Sequence, residues 1–175
     1  NRGTAALDNF TMLKKTLAAE APDLYLGIGT IKSAADAKAF IKAGADFLIA
    51  PIVNPEVAAV AAEGDMLWIP GCMTPTEIYR AQELKAAAIK IFPANIVGPE
   101  FISSIRELFP DQVFIPTGGV EIDEDNVRSW FKAGVKAVGF GSRLISKDIL
   151  KTENYDLLYE NTLEALRLAR LAQKQ

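Results

Sequence analysis

Histidine is absent from this sequence, and cysteine occurs once, at Cys72. The first absence removes the commonest ligand of catalytic zinc, and a lone cysteine cannot close an internal disulfide. Any chemistry must therefore rest on Lys, Arg, Asp, Glu, Ser, Thr or backbone amides. No apolar run nears the roughly 20 residues that cross a bilayer, and the opening "NRGTAALDNF" lacks the apolar centre of a signal peptide. A soluble, cytoplasmic protein without a membrane partner is expected. Nor is there a basic arm or a basic excess. With 19 Lys and Arg against 22 Asp and Glu, a net charge of −3 and a pI near 5.1, a general nucleic-acid binder is disfavoured. No G-x-G-x-x-G opens a helix after the first strand-like run, which weakens a dinucleotide-binding reading. Linkers, low-complexity tracts and shifts in composition are missing too, so residues 1–175 are expected to form one domain.

What is present is apolar and periodic. Half of the residues are hydrophobic and 23% are charged, enough for 175 residues to bury a sizeable core. Short apolar runs recur at "LYLGIG", "FLIAP", "MLWIP", "AIKIFP", "VFIPTGG" and "AVGFGS". Segments of helical period lie between them. In "SAADAKAFIKAGA", Ala37, Phe40 and Ile41 share one face, with Ser33 as N-cap and Gly44 as the stop. "TPTEIYRAQELK" has Thr74 as cap, Pro75 at the first helical position, and Ile78 and Leu84 directed inward. "DEDNVRSWFKAGV" presents Val127, Trp130 and Phe131 and ends at Gly134.

Apolar strands alternating with helices indicate a parallel sheet covered by helices, either an open doubly wound sheet or a (β/α)8 barrel. The runs end in "GT", "PIVN", "PG", "PAN", "TGG" and "GS", and a barrel gathers such strand ends on one face as its active site. This favours the barrel. Six strand-helix units are countable and a barrel needs eight. The chain opens without methionine, and Asn1-Arg2 reads as the end of a strand. The expectation is therefore a barrel lacking its first βα unit and most of its second strand in this sequence.

Lys90 lies in the middle of "AIKIFP". Alternation turns it away from Ile89 and Ile91, so it would project into the barrel interior near the top while the isoleucines pack beneath helices. Burial disfavours an ammonium ion and leaves a fraction of free amine, and an amine beside a carbonyl substrate forms a Schiff base. The alternative is a lysine that snorkels to solvent or pairs with a buried carboxylate. Downstream, "PTGGV" and "GFGSRL" place Thr117, Gly118 and Gly119, then Gly139, Gly141 and Ser142, between strand and helix. There their amides can present N–H groups to an anion. Two consecutive loops of this kind match the phosphate site frequent in barrels; the plainer reading is that glycine makes tight turns.

In order and spacing, "GIGTI", "AGADFLIAP", "IPGCMTPTEI", "IKIFPAN", "PTGGV" and "GFGSRL" resemble the 2-keto-3-deoxy-6-phosphogluconate aldolase family. The resemblance covers nearly the whole chain. It implies a metal-free, lysine-dependent aldolase on a (β/α)8 barrel, generally homotrimeric, which yields pyruvate and glyceraldehyde 3-phosphate. Some members also split 4-hydroxy-2-oxoglutarate into pyruvate and glyoxylate. By the same resemblance Lys90 is the Schiff-base lysine, Thr30 and Pro51 line the pyruvate pocket, and Arg2 helps hold the substrate carboxylate. Gly118, Gly119 and Ser142, with Thr117 and Gly141 beside them, bind phosphate. The implied partner is a small phosphorylated keto acid and no cofactor is required. The family also has a proton-shuttling glutamate four residues before its arginine, a position that here precedes Asn1. Its loss would cost about 10²- to 10⁴-fold in rate.

Glu56, Glu77, Glu83, Glu100 and Glu121 read as solvated surface, and Cys72 as structural or a passive pocket wall. The C-terminal "ENTLEALRLARLAQKQ" is an amphipathic helix whose Leu163, Leu166 and Leu171 share one broad side, either to cover the barrel wall or to make a subunit contact. Two rival functions stay open. One is a phosphosugar isomerase or epimerase, which shares the glycine loops without needing a Schiff-base lysine. The other is a non-catalytic barrel fragment that binds phosphorylated ligands.

Overall fold

The computed structural model describes residues 1–174. Contacts gather the chain into two compact units, Asn1–Ile89 and Lys90–Gln175. The first contains α1 (Ala6–Glu20), α2 (Ala34–Lys42), β1 (Phe47–Ile49), α3 (Pro55–Glu63), β2 (Leu67–Ile69), β3 (Gly71–Cys72) and α4 (Pro75–Glu83). Next comes β4 (Ile89–Ile91). The second unit continues with α5 (Ala94–Ile105), β5 (Phe114–Pro116), α6 (Glu124–Ala133), α7 (Lys147–Thr152) and α8 (Tyr155–Ala172).

In the first unit β1 and β2 run parallel, with Leu48 opposite Trp68, and Ile28 adds a parallel bridge to Leu48. The run from Leu24 is therefore strand-like only in its later part. Asp46 N–H donates to the Leu26 carbonyl and Ile28 N–H to that of Phe47, whereas Leu24 and Tyr25 are exposed ahead of this ladder. The middle residue of each strand faces the helices. Leu48 and Trp68 join Ala37 and Phe40 of α2 and Val57, Ala58 and Ala61 of α3 in one apolar core. Each large side chain removed from water in this way contributes about 1.5–3 kcal/mol. Phe10 of α1 meets Phe40 edge to face, with ring centroids 5.4 Å apart. Lys14 of the same helix donates to both carboxylate oxygens of Asp46 at 2.6 Å. That bond, with one from Leu26 N–H, holds the Asp46 carboxyl below its usual range.

Helix boundaries follow local chemistry. Ser33 Oγ accepts from Asp36 N–H at 3.1 Å, and Thr74 forms a capping box with Glu77, with Pro75 opening the helix. Asp123 caps α6, and Gly134 ends it in the left-handed region at φ 110°. Gly44 follows the C-cap of α2 at φ 89°.

In the second unit β4 and β5 are neighbours, and Thr117 bridges in parallel to Gly139. The C-terminal helix departs from expectation. Leu163, Leu166 and Leu171 are exposed, while Ala165, Leu168 and Ala172 are buried. Leu168 and Ala172 pack with Val127 of α6, and Phe131 and Phe140 lie against them. Ala165 and Ala172 flank Leu168 on this stripe, and alanine allows two helices to approach closely. Each unit also holds one tryptophan. Trp68 and Trp130 are 3% and 2% exposed, and neither indole N–H meets an acceptor among the described residues. No helix among those residues is long and apolar enough to cross a membrane.

Candidate active site

On β4, Ile89 and Ile91 are fully buried and the residue between them is not. Pleating thus sends Lys90 to the face opposite both isoleucines, as its position in the strand predicts. Its Nζ lies 4.3 Å from the centroid of the Phe92 ring, a cation–π contact. Phe92 follows Lys90 by two residues and so shares its side of the strand. This aromatic neighbour was legible from period-two alternation, but the sequence reading overlooked it.

One of the two glycine-bearing loops lies beside this strand, and the other adjoins the first. Thr117 N–H donates to the Ile91 carbonyl at 2.9 Å, fixing the end of β5 next to the end of β4. The Thr117 and Gly118 carbonyls accept from Ala94 and Asn95 N–H at 3.0 and 2.9 Å, so this loop abuts the start of α5. Gly118 and Gly119 have φ of 90° and 82°. A Cβ at Gly119 would stand 2.4 Å from that of Asn95. Glycine is therefore required here by both backbone conformation and space. The neighbouring loop is joined through Gly139 N–H, which donates to the Pro116 carbonyl at 2.8 Å. A turn follows in which Leu144 and Ile145 N–H both donate to the Gly141 carbonyl. Among the described residues, the amides of Gly118, Gly119, Val120, Gly141, Ser142 and Arg143 donate to no acceptor. Two adjoining loops therefore carry unused N–H groups, which are able to donate to an anion.

These loops are linked by charge as well. Arg143 Nη2 and Glu121 Oε1 form an ion pair at 2.9 Å. Glu121, expected on the solvated surface, keeps a side chain 40% exposed and is paired there. No sequence signal marks this contact, because its partners belong to different loops. The other acids behave as surface groups. Glu83 pairs with Arg80, Glu77 serves the α4 cap, and Glu56 and Glu100 are exposed. Cys72 is 1% exposed, and burial, with Glu77 nearby, pushes its thiol up to about 12. It is inert structural packing.

The remaining candidates lie in the first unit. The Asn1 amino group donates to the carbonyl of Gly29, in the middle of the "GIGTI" run, at 2.6 Å, and the exposed Arg2 is next in the chain. Thr30 follows Gly29 with φ 61°. A β-branched residue in the left-handed region is strained, and such strain clusters at functional sites. Pro51 follows β1, and its carbonyl oxygen lies 2.5 Å from where a Cβ at Gly71 would be, so the chain at Gly71 approaches it closely. The site residues thus form two groups. Arg2, Thr30 and Pro51 belong to the first unit, and Lys90, Thr117, Gly118, Gly119, Gly141 and Ser142 to the second.

Residues 2–160 match a family model described as KDPG and KHG aldolase. The chain is 32% identical over 120 residues to 2-dehydro-3-deoxy-6-phosphogalactonate aldolase of Escherichia coli K12, covering 68% of this chain and 58% of that protein. It is 30% identical over 159 residues to KHG/KDPG aldolase of the same organism, covering 90% and 73%. The chain spans from 50% to 64% of the length of three such relatives, from E. coli, Rhizobium meliloti and Treponema pallidum. Among solved structures it resembles KDPG aldolase from Legionella pneumophila with pyruvate captured as a covalent carbinolamine intermediate. That likeness has a TM-score of 0.82 at 26% identity, covering 91% of this chain and 75% of the other.

Proposed function

The chain belongs to the KDPG and KHG aldolase family, and from that premise we propose that it is a class I aldolase whose Schiff base forms on Lys90. The substrate is 2-keto-3-deoxy-6-phosphogluconate, with 4-hydroxy-2-oxoglutarate as a second one. The observation that carries this reading is the setting of Lys90. An amine stands on a strand between two fully buried isoleucines, against an aromatic ring, and the adjacent strand ends in a loop with unused amides. The pyruvate captured covalently in the Legionella relative supports it.

In this mechanism Lys90 Nζ attacks the C2 carbonyl and water leaves, giving a protonated imine. The C4 hydroxyl loses its proton to a base as the C3–C4 bond breaks, and the bonding pair flows toward the iminium nitrogen. An aldehyde departs, which is glyceraldehyde 3-phosphate for the phosphorylated substrate, and an enamine remains on the lysine. Protonation at C3 and hydrolysis release pyruvate and free Lys90. The family pattern gives the proton transfers to a carboxylate, and assigns Arg2, Thr30 and Pro51 to the pyruvate moiety. Thr117, Gly118, Gly119, Gly141 and Ser142 hold the phosphate, and that remote binding orients the reacting carbons. A (β/α)8 barrel, a homotrimer and a cytoplasmic location belong to the same proposal.

Treatment with pyruvate and borohydride, followed by peptide mass spectrometry, tests it. A reduced pyruvate adduct on the Lys90 peptide, absent from Lys90→Ala, is the expected result. A folded protein that gains no adduct, or gains it elsewhere, refutes the assignment.

A further inference from the structure

Five of the six ion pairs among the described residues can be accounted for structurally. Four are local contacts along one helix turn, and the fifth, Lys14–Asp46, is a partly buried tie in the first unit. Arg143–Glu121 is different. It joins the two loops whose amides are unused, and its side chains are 58% and 40% exposed. An exposed pair of this kind contributes about 0–1 kcal/mol, too little to serve as the lock between two loops. What it does set is local charge. A phosphate seated on backbone amides alone would have no full positive charge opposite it, and the Glu121 carboxylate close by would repel it. Arg143 directly follows Ser142, and its planar fork matches phosphate oxygens in two-point geometry.

We propose that Arg143 is a specificity-determining residue for phosphorylated substrates, exchanging the Glu121 carboxylate for the substrate's phosphate. The inference rests on the aldolase reading for its substrate, but the exchange itself is a property of the anion-binding loops. Glu121 pairs with the guanidinium at 2.9 Å, and would compete with an incoming anion. The two partners of one ion pair therefore have opposite effects. Losing the arginine weakens phosphate binding, whereas losing the glutamate spares or tightens it.

Inorganic phosphate is the probe, titrated by phosphorus NMR into the whole chain, Arg143→Gln and Glu121→Gln. Arg143→Gln is expected to weaken binding by about tenfold or more, the loss of a charge-assisted contact. Glu121→Gln is expected to bind as well as the unaltered protein or better. In turnover, Arg143→Gln would lower kcat/KM for the phosphorylated keto acid by a similar factor and leave unphosphorylated 4-hydroxy-2-oxoglutarate within about twofold. Equal weakening by both variants would show a mere clamp and overturn the exchange. So would unchanged phosphate binding in Arg143→Gln, absence of phosphate binding in the unaltered chain, or equal loss on both substrates. Failure of the aldolase reading shows separately, as a missing pyruvate adduct on Lys90.

Discussion

Gly119 and Gly141 look alike in the sequence, each a glycine in a loop proposed to receive phosphate, yet replacing each with alanine has opposite expected consequences. At Gly119 the backbone is at φ 82°, where an L side chain costs about 1–2 kcal/mol. The new Cβ would also stand 2.4 Å from the Cβ of Asn95. That atom is fixed to the start of α5, whose Asn95 N–H already binds the Gly118 carbonyl at 2.9 Å. Relief must come from backbone movement rather than a rotamer change, and overpacking of this kind costs about 1–3 kcal/mol more. Gly119→Ala should therefore lose about 2–5 kcal/mol, lowering the urea midpoint by about 1 M or more. Gly141 lies outside the left-handed region, and its added Cβ would meet nothing within 4 Å. Gly141→Ala should be neutral or gain a few tenths of a kcal/mol through the unfolded chain, about 0.4–1 at most. Parallel urea titrations followed by circular dichroism provide the comparison. Equal stabilities for the two variants would refute the argument that space and backbone conformation, rather than flexibility, fix the glycine at position 119.

Asp46 gives a pH signature. Its folded carboxyl is held below the ordinary value by Lys14, so its stabilising contribution is present above about pH 4 and is lost as pH falls through the folded value. Asp46→Asn should be less stable at pH 7 and converge on the unaltered protein in acid; a constant gap across denaturation curves from neutral to acid pH would contradict this. Cys72, with its thiol raised to about 12, should resist iodoacetamide at pH 8 in the native state and react promptly in urea. Rapid native labelling, read by intact mass, would show that the buried setting is wrong.

Sequence periodicity was informative where one element alone decides the outcome. Ser33, Thr74 and Gly134 cap or end helices through bonds within a few residues, and Lys90 turns away from Ile89 and Ile91 because a strand alternates. It was uninformative where a partner surface decides. Leu163, Leu166 and Leu171 are as apolar as Leu168, but α6 accepts the stripe around Leu168 and Ala172, and no feature of α8 alone says so. Thr30 carries no glycine or asparagine to announce its positive φ. For the proposed site, the positive φ of Gly118 and Gly119 and the turn of Lys90 away from its neighbours were legible from residue type and alternation. The site's charge relations were not, since Arg143 and Glu121 meet only when two loops fold side by side.

The two tryptophans give this chain a built-in optical assay. Each unit has one indole, shielded from water and bonded to no acceptor among the described residues, so native emission should lie toward the blue and shift red as either environment opens. Because neither ring has a hydrogen bond to lose, phenylalanine can replace one of them at the cost of volume alone. Trp68→Phe leaves a fluorophore that reports on residues 90–175, and Trp130→Phe one that reports on residues 1–89. Whether the halves of the chain melt together or in succession can thus be read from intrinsic light, with no dye attached.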